Sequence, residues 1–280
     1  MATDLHPKNY KENKMFDQHP DNMRMEPTPE RVYSACRIIE RMSLSRSQLK
    51  EAMALGEPGT KNYGEVNAAI KVALDELHLL VNKDDILYLA IDPEILSTPI
   101  SFRRYVSSIV FKRADSTFVR FSSWYISKNE AIFPLNSWEV KAKTAAQENS
   151  GLQGMSENAA LGWRFWAAYL GLGYLHGTTL IPNMKIRLQD LLATDFPKAF
   201  NYDEPIRSSD FIFWLSGKLP EVKVTTPLPL ALSAGMRTLH ELGFIYMEAR
   251  PDTERVPLYY VDGDPINDFS HITVKGDRML

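Results

Sequence analysis

The sequence predicts a mainly α-helical protein with small β-hairpins, an α+β chain, and three observations lead to this class. Apolar residues between Val66 and Leu80 recur every three to four positions, which is the spacing of one buried helix face. The period then changes, because the turn-forming residues 82–85 are followed by the short apolar run 86–89. The same change from helix to hairpin returns between residues 232 and 261.

Three helices are expected before the first hairpin. Thr28 is predicted to cap the first helix, and Ser45 with Gln48 three residues later fits a capping box at the start of the second. Residues 56–59 contain glycine and proline and predict a turn before the third helix. The order helix, helix, turn, helix, hairpin is that of a winged helix-turn-helix, whose recognition helix enters the DNA major groove with the hairpin beside it.

A second helix-to-hairpin unit closes the chain. The apolar face of residues 232–242 ends at Gly243, a residue suited to a helix C-cap. Strands are expected at 244–247 and 258–261, on either side of a turn at 250–255. This unit predicts a second winged helix, so the fold class becomes two winged helix-turn-helix-like domains joined by a helical and β-rich connector.

Four segments follow from these patterns. Residues 1–25 are rich in Lys, Asn, Asp and His and predict an N-terminal arm that is flexible or is ordered only by a partner. The N-terminal winged-helix domain is expected at 26–95 and the connector at 96–150. Asn149-Ser150-Gly151 marks the boundary, and a C-terminal helical domain at 151–280 ends in the second winged-helix-like unit.

The connector and the start of the C-terminal domain have their own patterns. A helix is predicted at 100–113, a strand or an extended segment at 116–126, and an exposed helix at 136–148. The C-terminal domain is expected to open with a buried aromatic helix that includes Tyr174. Ser208 and the two polar residues after it are predicted to cap a later helix.

Composition sets limits on the kind of protein. At 280 residues, with 44% hydrophobic and 24% charged residues, the chain has the composition of an ordinary globular protein. A formal net charge of -3 argues against a protein that coats nucleic acid through bulk charge. The single cysteine, Cys36, excludes an intrachain disulfide and fits a reducing compartment. No apolar stretch typical of a signal peptide or a membrane span is present, so we expect a cytoplasmic protein.

No recognisable catalytic motif is present. The phosphate-loop, His-Glu-x-x-His and Gly-x-Ser-x-Gly signatures are absent, and no two of the six histidines lie at the helical spacing of metal ligands. Asp262-Gly263-Asp264 resembles a calcium loop only faintly, since the glutamate at the twelfth position is missing. We therefore expect a protein that is not an enzyme and that has no catalytic residue, no metal and no cofactor.

Polar side chains expected on the outward helix faces are the candidate DNA contacts, because they can bond phosphates or base edges. The alternative is a solvated face, since residues 28–113 hold 12 Lys/Arg against 11 Asp/Glu. Ser233 is expected on the same outward face as the candidates of the last helix. The candidates are Arg46, Gln48 and Lys50 on the second helix; Asn62, Asn67 and Lys71 on the third; Arg103 and Arg104 on the connector helix; and Arg237, His240, Arg250 and Arg255 on the last helix and its wing.

A family resemblance rests on three stretches of the second half: Trp166-Ala-Ala-Tyr-Leu-Gly-Leu-Gly-Tyr174, Leu180-Ile-Pro-Asn183 and Leu232-Ser-Ala-Gly-Met-Arg-Thr-Leu-His-Glu-Leu-Gly243. With them the chain resembles the DpdG-type accessory proteins, which are encoded with bacterial deazaguanine DNA-modification and restriction clusters. The motifs are hydrophobic and structural, so the resemblance brings no catalytic residue with it. It implies a bacterial cytoplasmic protein that works beside ATPases, helicases and nucleases on DNA, in restriction-modification or antiviral defence.

Three functions stay open at the level of the sequence. The first is a non-catalytic accessory protein that binds double-stranded DNA through its winged helices and recruits a partner ATPase, helicase or nuclease. The second is a scaffold subunit whose winged helices dock partner proteins without touching DNA. The third is a winged-helix transcriptional regulator, which needs a symmetric dimer, and the sequence has no obvious dimerisation helix.

Overall fold

The computed structural model describes residues 16, 25–54, 63–133, 152 and 155–278. It is about 51% helical and has small antiparallel sheets, in agreement with the predicted α+β class. The predictions made for Asn62 and for residues 56–59, 136–148 and 149–151 lie outside the described part of the chain.

Helices and short strands alternate along the described residues. The α-helices are α1 (Pro29–Arg41), α2 (Arg46–Met53), α3 (Gly64–Lys71), α4 (Pro99–Val110), α5 (Thr117–Ser127), α6 (Glu157–Tyr169), α7 (Lys185–Thr194), α8 (Ser208–Ser216) and α9 (Leu230–Glu241). The strands are β1 (Leu44–Ser45), β2 (Leu80–Lys83), β3 (Ile86–Leu89), β4 (Gly173–His176), β5 (Thr179–Pro182), β6 (Pro205–Arg207), β7 (Ile245–Glu248), β8 (Val256–Pro257), β9 (Asp268–Phe269) and β10 (His271–Val274). A π-helical segment (Val72–Glu76) continues α3.

The first unit comprises α1 to α3 and β1 to β3. Thr28 caps α1, and Ser45 with Gln48 forms the predicted capping box of α2. The hairpin β2–β3 turns at Asp84 and Asp85, whose φ angles of 51° and 62° are both positive, as a type I′ turn requires. Strand β1 pairs with β3, so the sheet order is β1-β3-β2.

The second unit repeats this order of elements with α7, β6, α8, α9, β7 and β10. Its sheet order is β6-β10-β7, so the strand after the first helix again pairs with the last strand. The connection between β7 and β10 contains an extra pair of short strands, β8 and β9. The two units therefore share element order and strand pairing and differ mainly in this connection.

The strand predicted at 258–261 is wrong, since β7 pairs with β10 instead. The amide of Tyr259 donates to the hydroxyl of Ser233 on α9 at 2.8 Å. The amide of Leu258 donates to the carbonyl of Asn267, also at 2.8 Å. The apolar run is typical of a strand, but its backbone amides donate hydrogen bonds to residues that are distant in sequence.

The strand or extended segment predicted at 116–126 is also wrong, because these residues form helix α5. Ser116 caps α5 by accepting a hydrogen bond from the amide of Val119. Phe118, Ser122 and Tyr125 are fully buried at the spacing of one helix face. The aromatic and β-branched composition of the stretch concealed that spacing.

The aromatic helix predicted to include Tyr174 ends earlier. Helix α6 closes at Tyr169, and Gly171 follows with a φ of 84°, in the left-handed region that favours glycine. A Cβ atom at Gly171 would lie 2.5 Å from the backbone nitrogen of Arg187, so the close approach of α7 also requires glycine there. Tyr174 lies on the hairpin β4–β5 and is 56% exposed.

A continuous hydrophobic core runs through the described residues of both halves. Trp163 and Trp166 of α6 are fully buried, and Trp166 Nε1 donates to the carbonyl of Pro27 at 2.6 Å. The hydroxyl of Tyr125 on α5 donates to the carbonyl of Leu180 on β5, also at 2.6 Å. These bonds tie the helices of the middle of the chain to the first unit and to the β4–β5 hairpin.

Phe16 belongs to the same core, although the sequence predicts a flexible or partner-ordered arm there. It is 1% exposed, and its ring meets those of Phe118 and Trp166 edge-on, with centroids 5.4 and 5.1 Å away. Its amide donates to Glu76 Oε2 at 2.9 Å. The prediction is wrong at this residue, because Phe16 buries aromatic surface against the protein's own core.

Candidate nucleic-acid interface

Five basic side chains of the first unit have no ion pair among the described residues: Arg41 at the end of α1 and four more on α2, α3 and β2. Arg46 and Lys50 lie on α2, Lys71 ends α3, and Lys83 ends β2. Arg46 and Lys83 are exposed, and Lys50 and Lys71 are half-buried. Cations that no carboxylate holds are the groups best placed to neutralise DNA phosphates.

Strand pairing brings Arg46 and Lys83 to the same end of the first sheet. Ser45 of β1 lies opposite Ile86 of β3, which in turn lies opposite Lys83 of β2. Two strand spacings, roughly 10 Å, therefore separate Ser45 from Lys83. Because Arg46 follows Ser45 directly, both cations stand at the hairpin end of the sheet.

The amide side chains of this unit are placed less favourably. Gln48 Oε1 accepts a hydrogen bond from the amide of Ser45 at 2.9 Å, because it completes the capping box. That oxygen is therefore engaged within the protein. Asn67 is half-buried on α3, and Asn62 lies outside the part of the chain that the structure describes.

Acidic side chains offset the cations of the first unit. Asp84 and Asp85 form the exposed tip of the hairpin, and Glu65 at the start of α3 pairs with Arg31. The described residues between 29 and 89 carry seven Lys/Arg and eight Asp/Glu. DNA contact by this face therefore depends on the local grouping of its cations and not on its net charge.

Arg103 and Arg104, the predicted contacts of the connector helix, bind a carboxylate of the second unit. Arg103 donates to both oxygens of Asp190 on α7, at 2.7 and 2.9 Å, and Arg104 Nε donates to Asp190 Oδ1 at 3.1 Å. Burial alone would lower the pKa of Arg103, but the hydrogen bond and the charge of Asp190 raise the pKa overall. The two arginines therefore form a joint between α4 and α7.

The outward face predicted for α9 is covered by the protein itself. Arg237 is 5% exposed, its guanidinium donates to the carbonyls of Tyr259 and Ile266, and it pairs with Asp264 at 2.8 Å. Ser233, which was expected on the same face, is fully buried. The prediction that this face is open is wrong, because the connection between β8 and β9 packs onto it.

His240 is half-buried near the end of α9. Its Nδ1 accepts a hydrogen bond from the amide of Met247 at 3.0 Å. Its ring stacks on that of Tyr246, with centroids 5.5 Å apart. The imidazole of His240 therefore packs against the ring of Tyr246, and Tyr246 is still 52% exposed.

Arg250 and Arg255 are exposed, but each has a carboxylate partner. Arg250 pairs with Glu248, and Arg255 pairs with Asp268 at 3.3 Å. Exposed pairs of this kind are worth only about 0–1 kcal/mol, because water screens them. Both guanidinium groups can therefore exchange their partner for another anion at little cost.

Arg250 also lines a cavity of about 450 Å³ that sequence reasoning missed. The cavity lies where the end of β6, the start of α8, the turn after β7 and the first residue of β10 meet. Its lining includes Arg207, Ser208, Arg250, Asp252, Glu254 and His271. These residues come from separate parts of the chain and meet because β6 pairs with β10, so no local sequence pattern marks the site.

The start of α8 differs from its prediction. Arg207 is the N-cap residue and Ser208 is the first residue of the helix, and no side chain caps it. Ser208 therefore contributes to the wall of the cavity and does not act as the predicted cap.

Within the described ranges, no group of three or more His, Cys, Asp or Glu side chains could hold a metal ion. None of the described helices has both the length and the apolar surface that a membrane span requires. Protein-family models, characterised proteins and solved structures contain no match for this chain.

Proposed function

We propose that both units are winged helices and that the chain is a DNA-binding accessory protein. The winged-helix assignment is supported by the shared order helix, strand, helix, helix, hairpin, with the first strand paired to the last. In such modules the recognition helix enters the major groove and the hairpin lies beside it. Helices α3 and α9 take that place in the two units.

The first unit is the one that contacts double-stranded DNA. Four of its five unpaired cations, Arg46, Lys50, Lys71 and Lys83, lie on the second helix, the third helix and the hairpin, which are the elements turned toward DNA in this module. This grouping is the observation that carries the proposal. In the second unit, eight of the twelve residues of α9 are buried, so that helix exposes only a narrow stripe, which ends at Glu241, to a groove.

The accessory role is supported by the resemblance to the DpdG-type proteins. A non-catalytic protein of that kind brings a partner ATPase, helicase or nuclease to DNA in the bacterial cytoplasm. Its place is in restriction-modification or in defence against phage. The first unit would hold the duplex, and the remainder of the chain would hold the partner.

Salt-dependent binding of a DNA duplex tests the proposal. For wild-type protein, the logarithm of the affinity should fall linearly with the logarithm of the salt concentration, with a slope of about −0.9 per neutralised phosphate. Arg46→Glu combined with Lys71→Glu should abolish binding, because it removes two cations and turns two carboxylates toward the phosphates.

Lys112→Glu combined with Lys223→Glu is the matched control. It makes the same change in net charge at two exposed lysines that lie outside the first unit. We expect this variant to bind the duplex nearly as tightly as wild-type protein. Unchanged affinity in the Arg46 and Lys71 variant would refute the duplex-binding assignment.

A second function, a scaffold that docks partner proteins without touching DNA, is favoured by the balance of charge in the first unit and by the covered face of α9. It predicts that no salt-dependent duplex binding is measured, while partners from the native host still copurify with the chain. A footprint confined to one palindrome would favour the transcriptional regulator instead.

A further inference from the structure

The outer face of the second sheet combines basic groups with an exposed aromatic ring. Arg207, His271 and Glu248 lie opposite one another across β6, β10 and β7. Residues paired across a sheet share a face, and residues two positions apart on a strand share it as well. Tyr246 therefore lies on the same face as Arg207 and His271, while the opposite face packs on the core.

The cavity lies at one end of this face, and Arg207 and Arg250 are part of its lining. Arg207 is exposed and has no ion pair in the described part of the chain. Arg250 joins it from the turn after β7, where its amide donates to Ser270 Oγ at 2.8 Å. Two guanidinium groups and the imidazole of His271 around one cavity make a site for an oxyanion, because guanidinium matches the geometry of phosphate oxygens.

Ser208 and the start of α8 add hydrogen-bond donors. Helix α8 has no side-chain cap. The amide of Ser208 donates to the carbonyl of Ser270 at 2.8 Å, so only the amides that follow it lack the acceptor that a serine or threonine cap would supply. Ser208 is 2% exposed and lines the cavity, and its hydroxyl has no hydrogen bond within the described ranges. The hydroxyl is therefore free to donate a hydrogen bond to an anion in the cavity.

Tyr246 provides a stacking surface next to the cavity. Tyr246 is 52% exposed, and its ring stacks on that of His240 with an interplanar angle of 27°. Tyr246 lies opposite Thr273, which is two residues from His271. The diagonal separation between Tyr246 and His271, which lines the cavity, is therefore roughly 7–8 Å, so the ring lies close to the cavity.

We propose that this face binds a nucleotide with an unpaired base, whose phosphate enters the cavity between Arg207 and Arg250 and whose base stacks on Tyr246. A cationic groove for the phosphate and an aromatic ring for the base are the two contacts by which proteins hold single-stranded nucleic acid. The ligand is a free nucleotide or a nucleotide of an unpaired strand. This site goes beyond the duplex-binding function, because it lies on the second unit and uses different residues.

Three carboxylates limit the affinity of the site. Asp252 and Glu254 line the cavity, and Glu248 pairs with Arg250. Asp252 and Glu254 repel a phosphate that enters. Asp252→Asn combined with Glu254→Gln should therefore tighten binding several-fold, and weaker or unchanged binding in this variant would count against a phosphate in the cavity.

Fluorescence anisotropy of a labelled oligothymidylate with the full chain tests the proposal. A strand of roughly 12 nucleotides falls within the site sizes of about 4–16 nucleotides seen for single-strand binding folds. Arg207→Ala and Tyr246→Ala should each weaken binding by roughly tenfold, since one loses the phosphate contact and the other loses the stack. Both side chains are exposed, so circular dichroism should show an intact fold.

Two controls sharpen the experiment. Tyr246→Phe keeps the ring and should bind as wild-type protein does. Arg120→Ala removes an exposed arginine of α5 outside the cavity and should leave binding unchanged. Equal binding by wild-type protein, Arg207→Ala and Tyr246→Ala would overturn the proposal.

Competition separates the two sources of the ligand. Displacement of the oligothymidylate by thymidine monophosphate at similar concentration assigns the site to a free nucleotide. Displacement by unlabelled strand alone assigns the site to an unpaired strand. Both outcomes support the proposed site. Inorganic phosphate that competes as well as thymidine monophosphate would overturn it, because the base would then contribute nothing. The Arg46→Glu and Lys71→Glu variant should bind the oligothymidylate as wild-type protein does. Failure of the nucleotide proposal can therefore be distinguished from failure of the duplex proposal.

Discussion

Asp190→Asn tests the joint between α4 and α7. The carboxylate accepts hydrogen bonds from Arg103 at 2.7 and 2.9 Å and from Arg104 at 3.1 Å, and its side chain is 5% exposed. Asparagine keeps the shape but loses the charge and one acceptor oxygen. Breaking a buried ion pair costs about 3–5 kcal/mol. The side chains of Arg103 and Arg104 are 18% and 34% exposed and regain some hydration, so we expect a loss of about 3 kcal/mol.

Urea unfolding measures this loss. Tryptophan fluorescence and far-ultraviolet circular dichroism should monitor the same transition, because agreement between the two probes shows two-state behaviour. A loss of about 3 kcal/mol is roughly a 150-fold change in the unfolding equilibrium. Asp195→Asn is the matched control, because its side chain is 28% exposed and its lysine partners lie 3.3 and 3.4 Å away. It should lose less than about 1 kcal/mol. Equal losses in the two variants would refute a buried carboxylate as the joint.

Three further predictions concern the core. Gly235→Ala should destabilise the protein by about 1–3 kcal/mol in urea unfolding, because the new Cβ would lie 2.7 Å from the backbone nitrogen of Lys185. This steric cost should outweigh the preference of alanine for helices. A higher urea midpoint than that of wild-type protein would contradict this packing. Burial raises the pKa of Glu221 above its ordinary value of 4.5 in the folded protein, so its contribution to stability is full below about pH 4.5 and is lost as the pH rises through the folded pKa. Glu221→Gln should remove that part of the pH dependence, and a difference from wild-type protein that stays constant from about pH 4 to pH 7 would contradict it. Burial raises the pKa of Cys36 to about 12, so the thiol of the folded protein should be unreactive. A disulfide reagent should react with Cys36 at once in urea, and in buffer only at the rate at which the protein unfolds. Immediate reaction of the native protein would contradict this prediction.

Helix starts were predictable where the signal is local. Thr28 and Ser45 cap α1 and α2 as expected, because a cap requires only the few residues that follow it. Ser116 caps α5 in the same way, but the aromatic and β-branched residues after it concealed the helical spacing. The strand predicted at 258–261 failed for a different reason, since α9 and Asn267 bind its amides.

The candidate site was predictable only in part. Arg46, Lys50 and Lys71 lie on the expected helices and have no ion pair among the described residues. Arg103 and Arg104 were expected to face outward as well, and a carboxylate on α7 holds them. A sequence shows that a side chain is charged, but it does not show which distant group will pair with it.

By itself the sequence determined the alternation of helices and hairpins, the caps that begin α1 and α2, and the residue types that can meet a phosphate. Tertiary structure decided which helix face stays open. Arg237 could have faced water, but its Nε and Nη2 bind the carbonyls of Ile266 and Tyr259 and its guanidinium pairs with Asp264 inside the protein. Arg207 and Arg250 came together at one cavity because β10 pairs with β6 on one side and with β7 on the other. Burial and pairing of charges depend on contacts between distant residues, and spacing along the chain does not encode those contacts.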